Sequence, residues 1–123
     1  MQEEAGQAAI DAFISAFNAS SDAYVTELLS QALTPDVVFW GPLGRSGGVE
    51  AVERFIIEMR GHPAGPGTMT RSSAVDAPGE WARYRWTYRT TDGTHELTGT
   101  DVVHLRDGRI DRMIVFAGEL PTG

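Results

Sequence analysis

The chain has 123 residues, enough for one modest core, and its 41% hydrophobic and 22% charged residues read as globular rather than disordered. A net charge of −7 argues against nucleic acid as a partner, because phosphates demand a basic surface. There is no cysteine and no lysine, which removes disulfides, thiolate metal sites, Schiff-base catalysis and the lysine of a phosphate-binding loop.

No apolar run approaches the roughly 20 residues of a membrane span, so no membrane partner is expected. Met1-Gln2-Glu3-Glu4 lacks the basic flank and apolar stretch of a signal peptide, and a cytoplasmic location is the expectation. No repeat or linker divides the sequence, which reads as a single domain over 1–123.

Three helical patterns come first. Residues 4–18 carry Ile10, Phe13, Ile14 and Phe17 on one stripe. Residues 22–33 repeat this with Val25, Leu28, Leu29 and Ala32, behind Ser21 or Asp22 as a cap. After Thr34-Pro35-Asp36, the run Val37-Val38-Phe39-Trp40 reads as a short strand. A glycine-rich loop from Gly41 to Gly48 then leads into a third helix, 49–60, with Val49, Val52, Phe55, Ile56 and Met59 on one side. The segment from Gly61 to Gly67, with His62, Pro63 and Pro66, is a helix breaker. From Thr68 the signals are all β: strands near 68–76, 80–91, 94–106 and 109–117, the last two hairpins turning at Asp92-Gly93 and Asp107-Gly108. Helices first and hairpins afterwards is the order of an α+β fold.

The Asp92-Gly93 turn sets a register. A two-residue type I′ turn pairs Thr91 with Thr94, and below it Arg89 with Glu96, Tyr88 with Leu97, Trp86 with Gly99, Tyr84 with Asp101 and Ala82 with Val103. One face is then polar, with Arg83, Arg85, Thr87, Thr98, Thr100 and His104. The other is aromatic and apolar and holds one carboxylate, Asp101. A one-residue slip would invert both faces, so the pattern specifies its own register. Trp86 opposite a glycine implies that the ring needs that space. A carboxyl on an apolar face has either a structural partner, with Tyr84 the nearest candidate, or a chemical role. Asp107-Gly108 permits a two-residue turn or a longer loop with a bulge, which leaves open whether Met113 or Ile114 points inward.

Two motifs lead nowhere. Gly44-Arg45-Ser46-Gly47-Gly48 fits the G-x-S-x-G pattern, but a nucleophile elbow belongs to a parallel α/β sheet, and here it reads as a loop. His62, His95 and His104 lack metal-ligand spacing, and no metal site is expected.

Four segments stand in a telling order and spacing: Ala16-Phe17-Asn18-Ala19, residues 34–42, Gly48-Val49-Glu50-Ala51-Val52, and Gly99-Thr100-Asp101-Val102-Val103-His104-Leu105 running into Asp107-Gly108-Arg109-Ile110. With them the layout resembles the nuclear transport factor 2-like superfamily, and within it the SnoaL-like, polyketide cyclase-like branch. The resemblance implies three N-terminal helices packed on a curved antiparallel sheet that forms a cone-shaped pocket, as in cystatin-like folds, and a homodimer through the outer sheet face. Among relatives, Asp101 matches the sheet aspartic acid of ketosteroid isomerase, an enzyme whose neutral aspartic acid serves as a standard example of a raised carboxyl pKa. Gly41 stands where that enzyme's base would be and Phe13 where its helix tyrosine would be, so that activity is not expected. Gly99 replaces the arginine that limonene-epoxide-hydrolase relatives use. Neither His95 nor His104 is placed to serve as the pocket histidine of scytalone-dehydratase relatives.

The resulting expectation is a cofactor-free enzyme performing acid–base chemistry (cyclisation, isomerisation or dehydration) on a small hydrophobic oxygenated molecule. Asp101 would be the acid or base and Tyr84 its partner. Phe17, Trp40, Phe55, Met59, Trp86, Tyr88, Val103 and Met113 would wall the cavity. The alternative is a non-catalytic ligand-binding or dimerisation module of the same fold, which the missing base at Gly41 favours.

Overall fold

A computed structural model describes residues 2–41, 44–61 and 67–118. Helices α1 (Gln2–Ala16), α2 (Asp22–Ala32) and α3 (Val49–Arg60) lie against a sheet of six strands: β1 (Leu33–Gly41), β2 (Gly44–Gly47), β3 (Gly67–Arg71), β4 (Trp81–Thr90), β5 (Glu96–Arg106) and β6 (Arg109–Ala117). The strand order is β2-β1-β6-β5-β4-β3. The expected helix stripes are where the core forms: Ile10, Phe13, Ile14, Val25, Leu28, Leu29, Val52 and Ile56 are all buried. Ser21 is the cap of α2, accepting the Tyr24 amide at 3.2 Å. No helix among the described residues is long and apolar enough to cross a membrane.

The β4–β5 register follows the alternation of the sequence. Arg89 pairs with Glu96, Tyr88 with Leu97, Trp86 with Gly99, Tyr84 with Asp101 and Ala82 with Val103. The turn above it differs from the expected type I′. Such a turn needs positive φ at both central residues, and here Gly93 has φ 72° while Asp92 is not in that region. Gly93 instead donates to the Thr90 carbonyl at 2.9 Å and Thr90 pairs with His95, so Thr91 to Thr94 form a four-residue loop. Asp92 organises that loop, with Oδ1 accepting from the Thr94 amide and from the Thr90 and Thr94 hydroxyls, and these bonds hold its pKa down at about 2. Loops of two and four residues leave the strands below in the same register, which is why the pairing survives. The type I′ signature belongs to the other hairpin, where Asp107 (φ 52°) and Gly108 (φ 79°) are both left-handed.

The sheet is mixed rather than antiparallel. β1 runs parallel to β6, with Phe39 beside Met113 and Trp40 beside Ile114. It also begins at Leu33, four residues before the expected strand, and a bulge between Leu33 and Val38 absorbs Thr34-Pro35-Asp36. The segment Gly44–Gly47, expected as loop, pairs antiparallel with β1, and Ser46 lies exposed within that edge strand. β3 stops at Arg71, with a single bridge from Asp76 to Arg83 beyond it. His62 and most of the expected breaker after Gly61 lie outside the described residues.

Two contacts tie the N-terminal helix to the far edge of the sheet. The Asn18 amide side chain donates to the Met69 carbonyl and accepts from the Met69 amide, both at 2.8 Å, in the manner of a strand partner. Arg71 Nε meets Asp11 Oδ1 at 3.0 Å. Together they draw β3 over α1 and turn the buried Met69 inward.

The glycine under Trp86 is a steric requirement. A Cβ at Gly99 would collide with the Trp86 ring on one side and the Phe116 carbonyl on the other. Gly99→Ala is therefore expected to cost about 1–3 kcal/mol in urea denaturation. Gly79→Ala, where a Cβ meets nothing within 4 Å, should change stability by less than about 0.5 kcal/mol. Equal effects would show that the ring does not depend on that gap.

Candidate active site

Because β4 and β5 alternate, Tyr84, Trp86, Tyr88, Gly99 and Asp101 share the face under the helices. An apolar cavity of about 100 Å³ lies between that face and the helices. Phe13, Ile14 and Phe17 line it from α1 and the turn after it, Phe55 and Met59 from α3, and Phe39 and Met69 from β1 and β3. Trp86 and Tyr88 of β4, Leu97 and Asp101 of β5, and Val115 and Ala117 of β6 complete the wall. Leu97 and Ala117 are exposed, so the cavity opens beside them. Asp101 is the one carboxyl among the described lining residues.

That carboxyl is 2% exposed and holds a donor on each oxygen. The Tyr84 hydroxyl donates to Oδ2 at 2.6 Å, and the Trp86 indole N–H donates to Oδ1 at 2.9 Å. Burial disfavours the ionised form and pushes the Asp101 pKa up to about 7; the bonds from Tyr84 and Trp86 oppose the shift without cancelling it. Burial, reinforced by the neighbouring carboxylate, raises the Tyr84 phenol well above its ordinary value, so it stays a protonated donor. Near neutral pH, Asp101 is thus populated in both forms, the condition under which one group serves as acid and as base.

Of the residues expected around the site, Phe17, Phe55, Met59, Trp86, Tyr88 and Asp101 line the cavity. Tyr84 lies behind Asp101, fully buried and reaching it through its hydroxyl. Three expected wall residues do not line the cavity. Trp40 is 37% exposed on the opposite face, with the Arg45 guanidinium 5.9 Å from its ring, and Phe39 faces the cavity in its place. The parallel pairing decides this, since Phe39 lies beside inward Met113. Val103 and Met113 do point inward but are fully packed in the core, away from the cavity. Met113 owes its direction to the extra residue Asp111, which shifts the β5–β6 register between Leu105–Ile110 and His104–Arg112.

Several lining residues escape the sequence reading. Phe13 and Ile14 are visible on the first helical stripe, and Leu97 on the inner face of the hairpin. Met69, Val115 and Ala117 follow only once the direction of β3 and β6 is known. The Trp86–Asp101 bond is a diagonal contact across the ladder that pairwise register does not disclose.

His95 lies in the exposed β4–β5 loop, and His104 is on the outer face, its Nδ1 2.6 Å from Asp111 and its ring edge-on to Trp81. Neither lines the cavity. Among the described residues no three His, Asp or Glu side chains converge to hold a metal ion.

A family model described as a SnoaL-like domain matches residues 10–113. No curated protein matches the chain. Among solved structures, a protein of the SnoaL-like family from Agrobacterium tumefaciens, provisionally named an isomerase, has 24% identity and a TM-score of 0.80, covering 94% of this chain and 99% of its own. A provisionally named polyketide cyclase from Sinorhizobium meliloti has 20% identity and a TM-score of 0.66, covering 87% of this chain and 92% of its own. A protein of cystatin-like fold from Methylobium petroleophilum has 17% identity and a TM-score of 0.78, covering 97% of this chain and 79% of its own. At these identities the likeness establishes the fold.

The raised pKa of Asp101 has a consequence for stability. Its ionised form is disfavoured in the folded state, so its contribution is intact below the unfolded value near 4. It is lost as pH rises toward about 7. Asn at this position keeps both bonds, its carbonyl accepting from Trp86 and its amide donating to the Tyr84 oxygen, and cannot ionise. The stability of Asp101→Asn relative to the wild type should therefore increase by roughly 2–3 kcal/mol between pH 5 and pH 8. Urea denaturation across that range measures it; a difference independent of pH would mean that Asp101 titrates as an ordinary surface carboxyl.

Proposed function

The chain belongs to the SnoaL-like domain family, and from that premise we propose that it is a cofactor-free acid–base enzyme acting on a small hydrophobic molecule with an oxygen function. The observation that carries the reading is Asp101, a buried carboxyl held by two aromatic donors at the wall of an otherwise apolar cavity. Its neutral form delivers a proton to a carbonyl or hydroxyl oxygen of the bound molecule. Its carboxylate then recovers a proton from carbon or oxygen of the same molecule, which returns the site to its starting state. Isomerisation, cyclisation and dehydration all fit this cycle. The fold hosts unrelated activities, so the site and not the fold carries the argument. A cytoplasmic setting is part of the proposal.

One observation favours a second reading, a non-catalytic binder of hydrophobic ligands. Among the described lining residues Asp101 has no second carboxyl or histidine beside it, so a reaction needing separate acid and base has only one of them there.

Proton exchange separates the two whatever the natural substrate is. Small cyclic ketones incubated in deuterated buffer with the wild type should exchange their α-hydrogens by NMR, and Asp101→Asn should lower that rate by roughly 100-fold or more while ketone binding persists. Binding without exchange in the wild type would support the binder. Full exchange by the Asn variant would end the reading built on Asp101.

The outer face supports a homodimer as a further part of the proposal. Trp40, Val102, Ile114 and Phe116 share it, and Phe116 is 54% exposed. An antiparallel ladder backed by helices on one side needs its other side covered or polar, and this stripe is neither. Light scattering at micromolar concentration should give twice the chain mass, and Phe116→Glu should shift it toward the monomer. A monomer mass for the wild type would count against the dimer.

A further inference from the structure

We infer that Trp86 is a positioning residue, whose indole N–H assigns the exchangeable proton of Asp101 to Oδ2, the oxygen shared with Tyr84. The inference rests on the proposed role of Asp101 as the acid and specifies which of its two oxygens carries the proton in the neutral form.

The two partners differ in what they can do. An indole N–H donates and never accepts, whereas a phenol hydroxyl does either. Trp86 Nε1 stands 2.9 Å from Oδ1. When Asp101 is ionised, both oxygens accept, one from Trp86 and one from Tyr84. When Asp101 gains a proton, one oxygen becomes a hydroxyl. A proton on Oδ1 would leave the better acceptor, the carbonyl oxygen, away from the indole, and would set two donors toward each other in a buried site. A proton on Oδ2 leaves the carbonyl at Oδ1 for the indole. Tyr84 can then rotate its hydroxyl and accept from Oδ2–H. Only Oδ2 has a partner suited to both states.

Trp86 cannot evade this by turning away. Its side chain is buried, and its ring fills the space above Gly99, where even a Cβ would collide with it. Gly99 and Asp101 are two apart on one strand face, and Trp86 pairs with the first. The ring therefore crosses Gly99 and presents its N–H diagonally to Asp101. Glycine, tryptophan and aspartate form one unit, in which the missing side chain allows the indole its reach.

Two NMR signals test the assignment without any substrate. In the wild type, the Trp86 indole N–H resonance and the Asp101 carboxyl ¹³C signal should titrate with one common midpoint. The indole signal should keep the downfield position of a hydrogen-bonded N–H on both sides of it. Movement to the position of a free indole N–H at low pH would place the proton on Oδ1 and overturn the inference, as would an indole signal blind to the Asp101 titration. Trp86→Phe, which also identifies the resonance among the three tryptophans, should raise the Asp101 midpoint by about one pH unit, a tenfold gain in proton affinity, because a bond to the charged form is lost. An unchanged midpoint in a folded variant would also overturn it; should the variant not fold, the wild-type indole titration decides alone. Because neither readout involves turnover, the inference and the enzymatic reading fail separately. Exchange-competent Asp101→Asn would remove the acid but leave the proton placement standing, and a silent indole would remove the placement but not the acid.

Discussion

The antiparallel register of β4 and β5 is the constraint from which the site follows. Its period of two puts Tyr84, Trp86 and Asp101 on one face, while Arg89 and Glu96 form an exposed ion pair, Nε to Oε2 at 3.0 Å, on the other. That surface pair adds little energy, but the alternative register would bury the arginines and expose the aromatic row. The burial of Tyr84 and Trp86 is what fixes the ladder, and the same burial strips water from Asp101. Site and core are therefore set by one act of pairing. The Asn18–Met69 clamp then closes the third wall by bringing β3 over the end of α1.

Asp101 sits where two effects nearly balance. Full desolvation alone would drive a carboxyl far into the neutral form, and two charge-directed hydrogen bonds alone would hold it ionised. Desolvation wins by enough to move the pKa to about 7 and no further. Among the described residues no basic side chain lines this cavity. Both donors are aromatic and neutral, which lets the carboxyl change charge without stranding a buried cation.

The sequence makes these parts legible in proportion to how local their causes are. Helix stripes and the β4–β5 ladder are written in spacing, and Tyr84 opposite Asp101 can be read from a turn and an alternation. The pairing holds although the turn itself differs, because two- and four-residue loops share a register and Asp92 uses its carboxyl to organise the longer one. What cannot be read depends on partners distant in the chain. Nothing in Leu33–Gly41 states that it will run parallel to β6, and without that pairing Phe39 and Trp40 are interchangeable. Met113 faces inward because one extra residue, Asp111, is accommodated as a bulge, and its carboxyl is satisfied by His104 at 2.6 Å. The Asp107-Gly108 turn alone would have sent Met113 outward. The family resemblance supplies the architecture but not these directions.

The wall supplied by β1 limits what else the cavity can hold. Phe39 and Gly41 alternate onto the same face of β1, and a Cβ at Gly41 would stand 2.8 Å from a Phe39 ring carbon. The Phe39 ring, 5.9 Å from that of Phe55, occupies the space in which a side chain at Gly41 would have to rest. A side chain installed at Gly41 would therefore meet the aromatic edge of the cavity wall before it met the cavity. In the proposed reading, acid–base chemistry in this cavity uses Asp101 twice, as the one carboxyl among the described lining residues. A pKa near neutrality suits that, because both the neutral and the ionised form are then populated. In the proposed reading the apolar wall and the single described carboxyl belong to one arrangement, because the burial that keeps water from the cavity also raises the Asp101 pKa.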